Sequence, residues 1–459
     1  MENLIIKPFF YKGKYFFYDT FSNRLLEITS DQFIELNQLK KIGLKTYIGL
    51  NKNTSPYNDI LLLIEKGLIR NIDIKEIVHP LTEYAEYIVG RNINNLTLQV
   101  TRECNFKCRY CLFSDYNEIG RNHEKMEMPL DVATKSVNFL LNHSFDANTI
   151  TIAFYGGEPL LNFDLISKVV KYSESLFCSK KIVFRMTING SLLNEDIIDF
   201  IVKHNFIIAV SLDGSRSIQN KHRKFSENGN DTFNVVYKNI KKIKNKYPKY
   251  FQTNVFFIPV MFPDESYYEI KDFYKVNLDV PEDRIIFLEA DLSGIDYTVS
   301  DIKTNANITD PSISEKKLFE DMTNKSKEKS KINKYWHHGG QCIPAVKSLF
   351  VDVYGNFYPC EKVIENKGLS IGNIADGLDK DKILQFMNIG KITGMECKSC
   401  WAMRFCEICV LHCYNVEKDQ IDKEKKMVSC EKQKYKALAF FKHYIDTYDF
   451  PINRGDNFD

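Results

Sequence analysis

Residues 96–111 read LTLQVTRECNFKCRYC. Residues 96–100 have the look of a strand, and they run straight into Cys104, Cys108 and Cys111, spaced Cys-x3-Cys-x2-Cys. Three thiolates on a short loop after a strand can hold three irons of a [4Fe–4S] cube and leave the fourth iron without a protein ligand. An open iron is a position where a small molecule can bind. Tyr110, next to Cys111, is an aromatic that can stack on a planar ligand. A structural zinc site wants four closed ligands, usually built from Cys-x2-Cys pairs, and the triplet has no fourth partner nearby.

Outward from this loop the sequence alternates. Strand candidates are 96–100, 150–155, 182–186, 207–212, 254–258 and 285–288. Helical periodicity falls between them, at about 130–143, 163–177, 194–204, 232–246 and 264–275. Repeated strand–helix units imply a parallel sheet with right-handed crossovers. Six units suffice for an open or partial barrel but not for a closed eight-fold one. The expected fold class is therefore α/β, with a partial (β/α)6 barrel over residues 91–310.

With 459 residues, the chain has room for two to four domains at about 100–200 residues each. Its 62 Lys and Arg nearly balance 60 Asp and Glu, so there is no strong electrostatic case for nucleic acid or an anionic membrane. No apolar run reaches the ~18 residues of a membrane span. The opening residues MENLIIKPFFYKGKYFF lack the basic start, apolar stretch and small-residue cleavage site of a secretory signal. A cytoplasmic location is expected, and in that reducing setting the 12 cysteines read as metal ligands before cystines. Cys178, at the end of a predicted helix, stands apart and reads as a buried, inert cysteine.

Further motifs follow in register. Gly156, Gly157, Glu158 and Pro159 (GGEP) follow the second strand; Thr187 to Gly190 (TING) end the third; Ser211 to Gly214 (SLDG) end the fourth; Arg223 lies in KHRKF. Together with the cysteine loop these resemble the radical S-adenosylmethionine (SAM) superfamily. The resemblance implies a radical SAM barrel in which Cys104, Cys108 and Cys111 hold the catalytic [4Fe–4S] cluster. It implies SAM contacts from Tyr110, Gly156, Gly157, Glu158, Pro159, Thr187, Asn189, Ser211, Asp213 and Arg223. Chemically, the glycines permit close backbone approach, Glu158 can pair with an ammonium, and Asp213 can accept hydrogen bonds from ribose hydroxyls.

The tail carries Cys342, then GNFYPC ending at Cys360, then CKSCWAMRFCEICVLHC with Cys397, Cys400, Cys406, Cys409 and Cys413, then Cys430. This resembles the SPASM extension of radical SAM enzymes that modify peptides and proteins. Cys397-x2-Cys400-x5-Cys406 fits the pattern, whereas Cys409 and Cys413 flank the position of the next expected cysteine. Setting Cys178 aside, eleven cysteines remain, which suits one three-ligand loop and two four-ligand auxiliary clusters. The resemblance assigns Cys397, Cys400, Cys406 and Cys430 to a distal cluster. It assigns Cys342, Cys360 and Cys413 to a proximal one with Cys409 as fourth ligand; the rival is a proximal cluster with an open iron. Two zinc sites fit the same spacing, since both take thiolates. Glu361, after Cys360, is a candidate base. His337 and His338 are given no role.

Residues 1–90 read as a small unit of strands and helices. Turns fall at Lys12-Gly13 and Ser22-Asn23. A helix capped by Thr29 or Ser30 carries Phe33, Leu36 and Leu39, and a second helix at 57–66 stops at Gly67 before a strand from Leu68. The outline is winged-helix-like and resembles domains that capture a leader peptide by strand addition. The domains expected are thus 1–90 for peptide recognition, 91–310 for the barrel, 311–340 as a polar bridge, and 341–459 as the cysteine-rich SPASM domain.

The resemblance implies a maturase of a ribosomally made precursor peptide bearing a leader, with SAM, three [4Fe–4S] clusters and a low-potential electron donor such as a flavodoxin or ferredoxin. The expected product is an intramolecular crosslink, a cysteine thioether of sactipeptide or ranthipeptide type. The alternatives are a carbon–carbon crosslink, maturation of an anaerobic sulfatase, and a non-catalytic iron–sulfur or zinc protein.

Overall fold

The computed structural model describes residues 4–111, 123–290, 335–338 and 342–447. All of the bridge expected at 311–340 except residues 335–338 lies outside the described residues. The chain forms two compact units. One draws its described residues from 1–84, 309–342 and 384–459, the other from 85–308 and 343–383.

The first unit opens with an antiparallel meander of β1 (Ile6–Tyr11), β2 (Lys14–Asp19) and β3 (Arg24–Ile28). Lys12 and Gly13 both take positive φ, 46° and 78°, as a two-residue hairpin turn of right-handed twist requires. Helix Ser30–Ile42 starts at Thr29, whose hydroxyl accepts from the Gln32 amide while the Gln32 side chain accepts from the Thr29 amide. Helix Ser55–Glu65 follows. The strand expected from Leu68 does not form. The amides of Leu68 and Ile69 both donate to Leu63 O, at 2.9 and 3.2 Å, and so are spent on closing the helix, while Ile69 is buried with Phe17, Leu36 and Tyr57.

The same unit contains the last described helix, Lys423–Thr447. Phe9, Phe16 and Tyr18 form one apolar cluster with Phe405, Phe440 and Phe441, the last two on helix Lys423–Thr447. Tyr18 and Phe441 lie 4.6 Å apart between ring centroids, and the Tyr11 hydroxyl donates to Asp446 at 2.7 Å.

The second unit is built on β4 (Asn95–Thr101), β5 (Thr149–Gly156), β6 (Lys181–Ile188), β7 (Ile207–Val210), β8 (Val255–Phe257), β9 (Ser348–Val351) and β10 (Phe357–Tyr358), in the order β8-β7-β6-β5-β4-β9-β10. Every pairing is parallel except β9 with β10. Helices Leu130–Asn142, Phe163–Leu176, Glu195–Lys203 and Phe233–Lys246 lie in turn between β4 and β8, as the periodicity predicts. Along β5, Ile150, Ile152 and Phe154 are buried whereas Thr151, Ala153 and Tyr155 are half-buried. One face of the sheet is therefore fully covered and the other borders a more open interior.

Beyond β8 the pairing continues past a break. Ile286, Leu288 and Ala290 amides donate to Phe257, Pro259 and Met261 carbonyls at 2.8, 3.0 and 2.8 Å. Pro259 has no N–H to give, which interrupts the fifth candidate strand at that point. At the opposite edge β9 joins β4 in parallel, Ser348 opposite Asn95; the sequence reading places no strand there.

Among the described residues no helix is long and apolar enough to cross a membrane. Both tryptophans, Trp336 and Trp401, belong to the first unit, and Trp401 lies 5.9 Å from Phe441. Replacing Phe441 by alanine should cost about 3–5 kcal/mol in that unit, read as an earlier denaturation midpoint by tryptophan fluorescence. A loss below about 1 kcal/mol would mean that the shared aromatic core does not hold the unit together.

Candidate functional site

The cysteine loop leaves β4 at its C-terminal end. A short strand within it, Phe106–Cys108, pairs antiparallel with Arg223–Phe225 and sets Arg223 opposite Cys108. The Arg223 guanidinium then reaches Cys108 Sγ at 3.8 Å (Nη1) and Asp213 at 2.9 and 3.1 Å (Nε and Nη2). Asp213, 0% exposed, also accepts from the Tyr110 hydroxyl at 2.8 Å and from the Val260 amide at 3.0 Å. The guanidinium lies 5.1 Å from the Tyr110 ring centroid. Burial pushes the Cys108 thiol up to about 12 against the opposing pull of Arg223, and it raises the Tyr110 phenol as well. Three residues singled out as SAM contacts are thus bonded to one another, and one of them faces a cysteine sulfur.

The loop after β5 lies directly on the cysteine loop. Gly157 and Glu158 amides donate to Thr101 and Glu103 carbonyls at 3.1 and 2.9 Å. A Cβ on Gly156 would stand 2.0 Å from Thr101 O, and one on Gly157 would stand 2.2 Å from Glu103 O. Gly156 also has φ near 150°, which side chains disfavour. The glycines are therefore required by contact between two backbone segments.

Glu158 is 1% exposed and accepts from the Asn189 amide at 2.6 Å and the Leu160 amide at 3.2 Å. Burial raises its carboxyl to about 7 in spite of those two donors. The Asn189 side chain in turn donates to Asn105 at 2.8 Å. The cysteine loop, the GGEP loop and the end of β6 are so tied by one chain of hydrogen bonds. Pro159 opens the short helix Pro159–Asn162. Thr187 and Ser211 are half-buried at the ends of β6 and β7.

The donor set fits an iron–sulfur cluster. Cys104, Cys108 and Cys111 lie within electrostatic reach of one another, and burial raises the first two thiols. No three His, Cys, Asp or Glu side chains among the described residues converge as ligands of a single ion. A cluster asks for less, because it spreads its thiolates over several irons. Two neighbours escaped the sequence reading. His123 Nε2 stands 3.9 Å from Cys111 Sγ. His222 stacks on Phe262 at 3.8 Å and meets Glu265 at 2.9 Å. No spacing rule points to either.

A cavity of about 460 Å³ opens beside the end of β4, lined in part by Gln99, Arg102, Asp352, Tyr358, Glu365 and Lys367. Gln99 donates to Glu365 at 2.9 Å and accepts from the Val353 amide at 3.3 Å. Its two walls lie some two hundred and fifty residues apart in sequence, as the Gln99–Val353 contact shows, so no local motif announces it. Glu361 sits half-buried in the turn after Cys360 and does not line this cavity.

In the first unit Cys400, Cys406 and Cys430 each lie within electrostatic reach of Cys397, and Cys413 lies within reach of Cys406, Cys409 and Cys430. Burial pushes Cys400 up to about 11 and Cys406 up to about 12. Cys342 is exposed in this unit, and Cys360 is half-buried in the other. His337 and His338 are buried pins. His337 Nε2 accepts from the Gly390 amide at 3.1 Å, and His338 Nε2 meets Ile408 O at 2.7 Å. Burial drops His337 to about 3, so it is neutral. Cys178 departs from expectation: it is exposed, because Phe177 takes the buried position at the helix end.

Residues 98–276 match the Radical SAM superfamily, and the chain therefore carries a radical SAM domain. It is 27% identical over 237 residues to the radical SAM cyclopropyl synthase TigE of Paramaledivibacter caminithermalis, covering 48% of this chain and 49% of that one. It thus spans about half the length of that relative. It is 26% identical over 348 residues to a cysteine-type anaerobic sulfatase-maturating enzyme of Clostridium perfringens, covering 69% of this chain and 88% of the other. The structure of native anSMEcpe with bound AdoMet shares the fold, with a TM-score of 0.54 at 21% identity over 77% of this chain and 97% of that one.

The buried Glu158 has a measurable signature. Its folded pKa near 7 lies above the ordinary carboxylate value of 4.5. Its contribution to stability is therefore fully present below about pH 4.5 and is lost as pH rises through about 7. Unfolding free energy of the wild type should fall by a few kcal/mol more than that of Glu158→Gln over this window. Parallel profiles for the two proteins would contradict the buried-carboxylate geometry.

Proposed function

We propose that this chain is a radical SAM enzyme that modifies a residue within a peptide or protein chain. The observation that carries this reading is the triplet Cys104, Cys108 and Cys111 at the end of β4, with Arg223 3.8 Å from Cys108 Sγ, inside a domain that matches the Radical SAM superfamily. Its cofactors are SAM and a [4Fe–4S] cluster on those three thiolates. When bound, these supply reductive cleavage of SAM to methionine and a 5′-deoxyadenosyl radical that takes a hydrogen atom from the substrate.

The chain's own residues hold, orient and shield. These three thiolates would hold a [4Fe–4S] cluster while leaving one iron without a side-chain ligand. Arg223 sets a fixed positive charge beside one thiolate, and the packing of Tyr110, Asp213 and Arg223 keeps water from that side of the loop. Gly156 and Gly157 hold the neighbouring loop close, and Glu158, Pro159, Thr187, Asn189 and Ser211 frame the SAM side of the sheet. The polar cavity beside β4 suits a peptide main chain, since its amide, carboxylate and guanidinium groups offer both donors and acceptors.

A peptide or protein substrate is supported by the named relatives. One is a sulfatase-maturating enzyme matched over 88% of its length, and anSMEcpe has also been seen with AdoMet and the Cp18Cys peptide. Within this class we favour an intramolecular crosslink. The SPASM-like cysteine pattern supports a cysteine thioether, and the likeness to a cyclopropyl synthase supports carbon–carbon closure. Oxidation of a cysteine or serine in a sulfatase is the second reading, favoured by the longer match to the Clostridium perfringens enzyme. The edge strand β3 is where a leader peptide would add. Two auxiliary clusters on the tail cysteines and a flavodoxin or ferredoxin as electron donor complete the proposal; Glu361 keeps its place as candidate base only through its position beside Cys360.

Full-length protein, reconstituted with iron and sulfide and incubated anaerobically with dithionite and SAM, should release 5′-deoxyadenosine and methionine. The triple variant Cys104→Ala, Cys108→Ala, Cys111→Ala should release neither. Equal background in both proteins would refute the reading.

A further inference from the structure

Lys426 is 1% exposed and sits among cysteines. Its ammonium donates to the Thr393 hydroxyl and lies 3.6 Å from Cys397 Sγ. Thr393 Oγ1 itself stands 3.2 Å from the same sulfur. The positive charge also reaches Cys406, Cys413 and Cys430. Among the described residues no carboxylate forms an ion pair with it. Glu396, within its electrostatic range, is paired with Lys423 at 2.6 Å. Asp422, just before the helix that carries Lys426, is paired with Lys418 at 3.0 Å.

A buried ammonium without a directly paired anion is strongly unfavourable. Neutral thiols do not supply one. Thiolates on an iron–sulfur cube do: a cube held by four of them is a net anion, and it becomes more negative by one charge when reduced. We propose that Lys426 is the charge partner of an iron–sulfur cluster held by Cys397, Cys400, Cys406 and Cys430, and that its ammonium raises the reduction potential of that cluster. The proposal rests on the reading of these cysteines as cluster ligands. Lys426 is a positioning residue in this role, not a catalytic one. Net charge and hydrogen bonds to sulfur are among the factors that set such potentials. A nearby cation favours the more negative, reduced state.

The test uses full-length protein in which Cys104, Cys108 and Cys111 are alanine, so that only tail clusters contribute. Iron is counted after reconstitution, and the midpoint is read by potentiometric titration followed by electron paramagnetic resonance. Lys426→Met should retain iron but lose at least tenfold in its reduced-to-oxidised ratio at fixed potential, about 59 mV for a one-electron couple. Lys426→Arg, which keeps the charge, should stay closer to the wild-type midpoint. An unchanged midpoint in fully loaded Lys426→Met would overturn the proposal. If Lys426→Met fails to load, loading of Lys426→Arg supports the charge role, and failure of both overturns it in favour of packing. Should the background protein bind no iron before Lys426 is touched, the cluster reading has failed, and the proposal with it.

Discussion

A carboxylate with no exposed surface has to be neutralised where it lies. Asp213 meets that demand with Arg223, Tyr110 and the Val260 amide at once. Those partners come from the cysteine loop, the short strand that pairs with it and the segment after β8. The ion pair therefore fixes the relative places of three loops at the C-terminal end of the sheet. Breaking a buried pair of this kind typically costs about 3–5 kcal/mol, so the loop carrying Cys108 is held by electrostatics as much as by packing. The same guanidinium faces the Cys108 sulfur, which couples the structural pair to whatever charge the thiolate carries.

A second constraint acts from the other side. The backbone after β5 approaches the cysteine loop so closely that no Cβ fits at Gly156 or Gly157. Glu158 and Asn189 extend this contact to β6 and back to Asn105. Between the ion pair and the glycine contact, the cysteine loop has little freedom. Such restricted freedom is what a preorganised binding site requires.

Much of this was legible in the sequence. Four crossover helices and the strands of the sheet followed from apolar periodicity, because each local pattern matches the environment it finds. The loop of Cys104, Cys108 and Cys111, and the motifs at 156–159, 187–190 and 211–214, all fall at strand ends as read. Features that depend on distant segments were not legible. Nothing in residues 348–351 says that they will pair with β4. Likewise, nothing in Phe9 or Tyr18 points to Phe441. Leu68 and Ile69 look like the start of a strand, yet their amides close a helix. The motifs around Tyr110, Asp213 and Arg223 point to a ligand, and only three dimensions reveal that these residues bond to one another. Lys426 looks like any lysine of a charged helix until its burial is seen.

The decisive quantity is the ligation of a single iron. Protein reconstituted with ⁵⁷Fe should give a Mössbauer spectrum in which adding SAM shifts one iron site. That change should vanish when Cys104, Cys108 and Cys111 are replaced by alanine. Identical spectra with and without SAM in the wild type would show that no iron is left open to it.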